Sequence, residues 1–268
     1  MFILESCWLK NITPPTAAPI IIKNYNNERA IIDCNGTLGI TITGSYTWFW
    51  GLEITSLKLA RNSAQSGSAP SDIPTESGFT INGHHSKVIN CIVYNVVGSG
   101  FGYWKHSTSS EVYGCLIFNN GWQGTDRGHG HGLYIQNKSL TDRKAVRNCF
   151  VFNQAGNGIQ IYTTNPPNLG IEIDKNTSFN TSSIRNANME RKHNLVINSA
   201  NNVSQEIIVT NNVFYRDSTD NSTNSTLGKN VKLGFSGSPD SNIIFNDNHV
   251  FGGSPVVEVK KWKDGQFY

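Results

Sequence analysis

Along most of the chain, apolar and polar residues alternate in short runs of period two, and helical periodicity is almost absent. The runs are of two kinds, and both recur. One kind has a β-branched residue, a spacer, Asn or Gly, a small residue, then an apolar alternation ending in Asn. It reads VINCIVYN (88–95), VYGCLIFN (112–119) and VRNCFVFN (146–153), with weaker copies IDKNTSFN (173–180), IVTNNVFY (208–215), IFNDNHVF (244–251) and FWGLEITS (49–56). The other kind follows a Gly: GITIT (39–43), GFTIN (78–82), GYWKH (102–106), GLYIQ (132–136) and GIQIY (158–162), with NLVIN (194–198) and VKLGF (231–235) less regular. Both are rich in β-branched and aromatic residues and bounded by Gly, Asn and Ser, which predicts strands. One short helix is expected around residues 184–193.

Copies recur at spacings of roughly 24 to 39 residues, the range of solenoid repeats. Uneven spacing predicts coils whose strands keep register while their loops vary. No single coil can bury its apolar face alone, so neighbours must stack. Stacked N-x-I-x-x-N rows alternating with G-I-x-I rows resemble the pectate-lyase-like superfamily over roughly residues 17–260. The resemblance implies an all-β, right-handed parallel β-helix of about seven to eight coils, forming one domain over residues 1–268. It says little about function, because this fold hosts lyases, hydrolases, epimerases and non-catalytic proteins.

In a solenoid, equal repeat positions lie one above the other. Cys91, Cys115 and Cys149 share such a position and are expected to form a column of buried thiols acting as small hydrophobes. A disulfide within the column is a weaker alternative, and metal binding the weakest, as no CxxC spacing is present. Asn95, Asn119, Asn153 and Asn180 share another position, where an asparagine ladder is expected. Alternation places Ile40, Phe79, Tyr103, Leu133 and Ile159 in the core. Thr41, Thr80, Trp104, Tyr134 and Gln160 then point outward, with Thr43, Asn82, His106, Gln136 and Tyr162. Aromatic rings beside amides and imidazole on a sheet face suit a sugar, so Trp104, His106, Trp122, Gln136, Gln160 and Tyr162 are expected to bind substrate. The competing expectation is that loops cover Trp104 and Tyr134.

Composition narrows the function classes. Charged residues are 15% of the 268 and the formal net charge is +3. No Lys/Arg run resembles a nucleic-acid stripe, so no nucleic-acid partner is expected. No stretch approaches the ~18 apolar residues of a membrane span. The opening MFILESCWLKNITPP has neither a basic region nor a small-residue cleavage site, so it does not read as a signal peptide. No capping segment is evident before the first strand-like stretch, which predicts an N-terminal cap or partner domain elsewhere.

The densest chemistry lies in GWQGTDRGHGHGLYIQNK (121–138), which brings Trp122, Asp126, Arg127, His129, His131 and Tyr134 into a short span framed by glycines. If residues 129–134 are extended, His129 and His131 share a face. The first reading is acid–base chemistry. β-Elimination on a uronic-acid polymer needs a cation or strong donor for the carboxylate, a base for the C5 proton and an acid for the leaving oxygen. Arg127 suits the carboxylate, His129 or His131 the base, and Tyr134 the acid. In residue type this resembles metal-independent alginate lyases and C5-epimerases. The second reading is a metal site: Ca²⁺ or a transition metal near Asp126, His129 and His131, with His106 as a further candidate. The third is structural, with His and Arg bonding loop carbonyls.

The Gly-led strands contain no Asp or Glu. That disfavours the clustered-Asp chemistry of polygalacturonase-like hydrolases and a Ca²⁺ site of several carboxylates, unless loops deliver Asp142 or Glu111. The leading expectation is therefore a polysaccharide lyase, extracellular or at a cell surface, acting on an acidic polysaccharide without a firmly expected cofactor. The alternative is a non-catalytic module that binds glycan or serves as a structural or adhesive fibre.

Overall fold

The structure is a computed structural model that describes residues 8–9, 18–37, 39–58, 60–184, 191–199, 204–217, 229–234, 241–253, 256–259 and 266–267. Every regular element among them is a strand. The expected helix falls mostly on residues 185–190, outside the described residues, and residues 191–193 are not helical. No described helix is long and apolar enough to cross a membrane.

Three long sheets, each wholly parallel, run the length of the molecule, two with nine strands and one with eight. Successive strands visit the three sheets in turn, giving eight full coils and two strands of a ninth among the described residues. The groove sheet holds the Gly-led strands, including Phe79–Ile81, Phe101–Tyr103, Leu133–Ile135, Ile159–Thr163, Leu195–Ser199 and Val231–Leu233. The other repeat is two strands rather than one. In VINCIVYN, Lys87–Ile89 belongs to the second sheet and Ile92–Tyr94 to the third.

The break between those two strands explains the asparagines. Asn90, Asn148 and Asn211 have φ of 49°, 56° and 58°, and Gly114 at the equivalent position has 64°. Asn is among the few non-Gly residues that enter the left-handed region readily. The same holds where the third-sheet strand ends: Asn95, Asn119, Asn153 and Asn180 have φ of 57°, 55°, 52° and 46°. These four are thus turn formers, not the expected ladder. Asn95 accepts from Arg61, Asn153 from Ser183, and Asn180 from the Asp217 amide.

The amide ladder lies elsewhere. Cys91, Cys115 and Cys149 stack in one fully buried column with free thiols, as expected, and each Sγ lies within hydrogen-bond reach of backbone carbonyls. Lower in the same column Asn176, Asn212 and Asn248 replace the cysteines. Each Oδ1 there accepts the main-chain amide of the residue above, from Cys149, Asn176 and Asn212, at 2.9, 2.8 and 3.0 Å. Each Nδ2 reaches a carbonyl the bend leaves open, Val146 O, Ile173 O and Val209 O. Buried polar groups need such partners.

The core fills the space between the sheets with Ile, Val, Leu and Phe in a continuous cluster. Ile40, Phe79, Tyr103, Leu133 and Ile159 are all buried. On the outer face of the third sheet Tyr94, Phe118, Phe152 and Phe179 stack with centroids 5.1, 5.1 and 4.7 Å apart.

Candidate functional site

Two glycines fit the lead of the fourth groove strand, and register decides between them. Phe101, not Tyr103, pairs with Phe79 and Leu133. The leading residue is therefore Gly100, and the expected register of GYWKH is shifted by two. The outward row is Thr80, Gly102, Tyr134, Gln160, Val196 and Lys232. Trp104 leaves the strand one residue past Tyr103 and folds back. A Cβ on Gly102 would lie 2.9 Å from its Nε1, so only Gly leaves room for the indole. Trp104 thereby meets Tyr134 edge to face, with centroids 5.3 Å apart at 80°. His106 lies beyond the strand in an exposed turn, 3.2 Å from Lys138 Nζ and away from the groove, contrary to the sequence expectation.

The segment after the fourth strand of the third sheet, Leu116–Phe118, protrudes as a small hairpin. Trp122–Gln123 pairs antiparallel with Gly128–His129. This stacks Trp122 on His129 with centroids 4.9 Å apart at 13°. Gly130 then turns the chain with φ of 74°, and a Cβ there would sit 2.5 Å from Gly121 Cα. The turn ends the extended conformation that would have put His129 and His131 on one face. His129 belongs to the hairpin and His131 to the coil.

Together these elements enclose a cavity of about 670 Å³ over the groove sheet. Arg127, His129, His131, Tyr134, Trp104, Trp122, Gln160 and Tyr162 line it; His106 and Gln136 do not. Gln136 instead donates to the Tyr162 carbonyl at 3.2 Å. Glu111 is tied to Lys87 and Arg147 on the second sheet, and Asp142 to Ser139. Neither reaches the cavity.

Sequence reasoning missed a second group of lining residues: Ser99, Asn157, Lys192, His193, Asn198 and Lys232. Three of them belong to one column, the residue just before each groove strand's leading position: Ser77, Ser99, His131, Asn157 and His193. Within it the side chains of Ser99, His131 and Asn157 each accept the amide N–H of the next coil. Ser99 Oγ accepts from His131 at 3.0 Å, His131 Nδ1 from Asn157 at 2.9 Å, and Asn157 Oδ1 from His193 at 2.8 Å. The available signal was position: each residue precedes the Gly or Asn that opens a G-I-x-I strand.

These bonds fix protonation. A backbone N–H can only donate, so Nδ1 of His131 is the lone-pair nitrogen, and a neutral ring bears its proton on Nε2. His131 is thus a donor and not the base. Burial, then His129, Arg127 and Lys192, push its pKa down to about 3. His129 meets Asp126 Oδ1 through Nε2 at 2.8 Å, which leaves its lone pair on Nδ1. Burial lowers its pKa and the Asp126 carboxylate opposes the shift. Tyr134 is pushed up to about 12 by burial and by Tyr162, so its phenol keeps its proton. Arg127 holds Asp126 at 2.9 Å and Ser68 Oγ at 3.0 Å.

The donor set does not fit a metal at Asp126, His129 and His131. His131 Nδ1 is engaged by an amide and His129 Nε2 by Asp126. Among the described residues no three His, Cys, Asp or Glu side chains converge.

No family model matches the sequence, and no curated protein does. Among solved structures the chain is similar to pectate lyase Pel9A, at 13% identity and a TM-score of 0.59, over 99% of this chain and 68% of that one. It also matches the Dettilon tailspike protein gp208, at 11% identity and a TM-score of 0.31, over 90% of this chain and 60% of that one. The chain is a right-handed parallel β-helix, the fold it shares with that pectate lyase.

Proposed function

We propose that this β-helix binds an acidic polysaccharide along the groove sheet and cleaves it by β-elimination, outside the cell or at its surface. One observation supports this most. Among the described residues, the cavity lining has three cationic side chains, Arg127, Lys192 and Lys232, beside Trp104, Tyr134 and Tyr162, and no carboxylate. Cations recruit the uronate carboxyl groups, and the aromatic faces stack on ring carbons. Pectate lyase Pel9A has the same fold, which is in keeping with the reading.

The chemistry divides among named groups. A cation on the carboxylate acidifies the neighbouring C5 proton. His129 takes that proton at Nδ1, held by Asp126 as a base is held by its orienting carboxylate. Its stacking on Trp122 fixes the ring plane. Tyr134, protonated at neutral pH, donates to the leaving glycosidic oxygen, and His131 Nε2–H supplies a second neutral donor. Product carries a new C4–C5 double bond, and its ultraviolet absorbance tests the reading directly.

A non-catalytic glycan-binding or adhesive module is the second reading. The observation favouring it is that Arg127 already pairs with Asp126 and Ser68, which closes the hairpin onto its neighbouring loop. Binding without product formation is its signature.

A further inference from the structure

The second half of the cavity has its own chemistry. His193 Nε2 and Asn198 Oδ1 there, like Trp122 Nε1 in the hairpin, are buried and have no hydrogen-bond partner among the described residues. A buried polar group left unpaired costs about 1–3 kcal/mol, so such atoms beside a cavity point to a ligand. His193 is only 6% exposed. Its amide and its Nδ1 both face Asn157 Oδ1, at 2.8 and 3.3 Å. Because that oxygen accepts the amide, it is the carbonyl oxygen of Asn157. A carbonyl only accepts, so His193 Nδ1 bears the proton and Nε2 bears the lone pair. Asn157 Nδ2 correspondingly donates to Gln160 Oε1. His131, two coils up the same column, has the reverse arrangement.

We propose that the column Ser99–His131–Asn157–His193 locks the two histidines in opposite tautomers, and that His193 Nε2 is a hydrogen-bond acceptor for a sugar hydroxyl. His131 presents a fixed donor, and His193 a fixed acceptor. They lie two coil spacings apart, roughly 10 Å at ~4.8 Å per coil, enough to address different sugar residues of one bound chain. Asn157 is the positioning residue for both: its amide N–H fixes His131, and its carbonyl fixes His193. Burial and the cations Lys232, Arg216, Lys192 and Lys229 hold His193 neutral, which keeps the acceptor available. A site built to accept from a hydroxyl rejects a sugar that lacks or masks it, because Nε2 is then left unpaired. The identity of the bound hydroxyl rests on the glycan reading above; the tautomers do not.

The test is histidine side-chain ¹⁵N NMR on the full chain at neutral pH, with and without oligosaccharides of polygalacturonate and of alginate. The expected spectrum shows His131 protonated at Nε2 and His193 at Nδ1, both neutral. A bound oligosaccharide should then move the His193 Nε2 resonance in the direction of hydrogen-bond acceptance. Asn157→Asp should keep the His193 tautomer and raise its pKa, since a carboxylate favours imidazolium. Finding His193 protonated at Nε2, or charged at neutral pH, overturns the lock. An unchanged His193 titration in Asn157→Asp overturns the positioning role. If an oligosaccharide binds and moves His131 and Tyr134 but leaves His193 Nε2 unmoved, the subsite is wrong and the proposed function stands. If the tautomers are as expected and neither oligosaccharide binds, the glycan reading fails and the subsite falls with it.

Discussion

Single hydrogen bonds assign the roles of the three cavity histidines. His131 Nδ1 faces an amide N–H, and His129 Nε2 faces a carboxylate, so the two rings offer opposite functions although only Gly130 separates them in sequence. His129→Ala should therefore lower turnover on a uronic polymer by about 10²–10⁴-fold and leave binding nearly unchanged, because a base acts mainly in the transition state. Steady-state kinetics with a parallel binding isotherm checks the split. His131→Ala should weaken binding as well, since a neutral donor acts in ground and transition states alike. The same groups set a pH dependence of stability. His129, His131 and His193 all have lowered pKa values in the folded chain, each chiefly through burial. Between the unfolded value near 6.5 and the folded ones, the unfolded chain binds more protons. Stability is thus fully present above about pH 6.5 and is lost as pH falls toward the folded values, about 3 for His131. Thermal unfolding should show Tm falling between about pH 7 and about 5, above the carboxylate range. A flat Tm across that interval would contradict the burial of these rings.

At the scale of strands and turns, the repeat was legible because strand period and turn residues are local. The conformation at each Asn was not. Asn95, Asn119, Asn153 and Asn180 recur at one position, which reads equally well as a side-chain ladder or a left-handed turn; only φ separates them. The true ladder was hidden because its column changes chemistry, from Cys149 to Asn176, without changing place. Asn153→Val should destabilise by about 1–2 kcal/mol, the cost of a β-branched residue at positive φ, while Asn153→Gly should cost less than about 1 kcal/mol. Asn212→Leu should cost about 1–3 kcal/mol by stranding the Asn176 amide and the Ile173 carbonyl. Urea denaturation of the three variants separates these cases. The misread register of GYWKH has an equally local origin. Gly100 and Gly102 both fit the leading position, and only pairing with Phe79 and Leu133 picks Gly100.

Across the whole molecule, the solenoid gathers side chains that the sequence keeps far apart. The segment 121–138 announced Arg127, His129, His131 and Tyr134 by density alone. Lys192, His193, Asn198 and Lys232 lie two or three coils further on and had no such signal, because their proximity comes from stacking. A formal net charge of +3 likewise conceals a cavity lined, among the described residues, by three cations and no carboxylate. Oligouronate affinity should fall as salt rises, since exposed charges are screened over about 10 Å at 0.1 M ionic strength. A neutral oligosaccharide of equal length should show no such dependence; titrations at two salt concentrations check this. The most direct measurement is a screen of the full chain against uronic-acid polymers, following the ultraviolet absorbance of the unsaturated product in the wild type, His129→Ala and Tyr134→Phe. Product is expected from the wild type on at least one polymer, with that absorbance lost in both variants while binding persists. A polymer that binds in the groove but yields no unsaturated product, or undiminished turnover in both variants, would contradict β-elimination in this cavity.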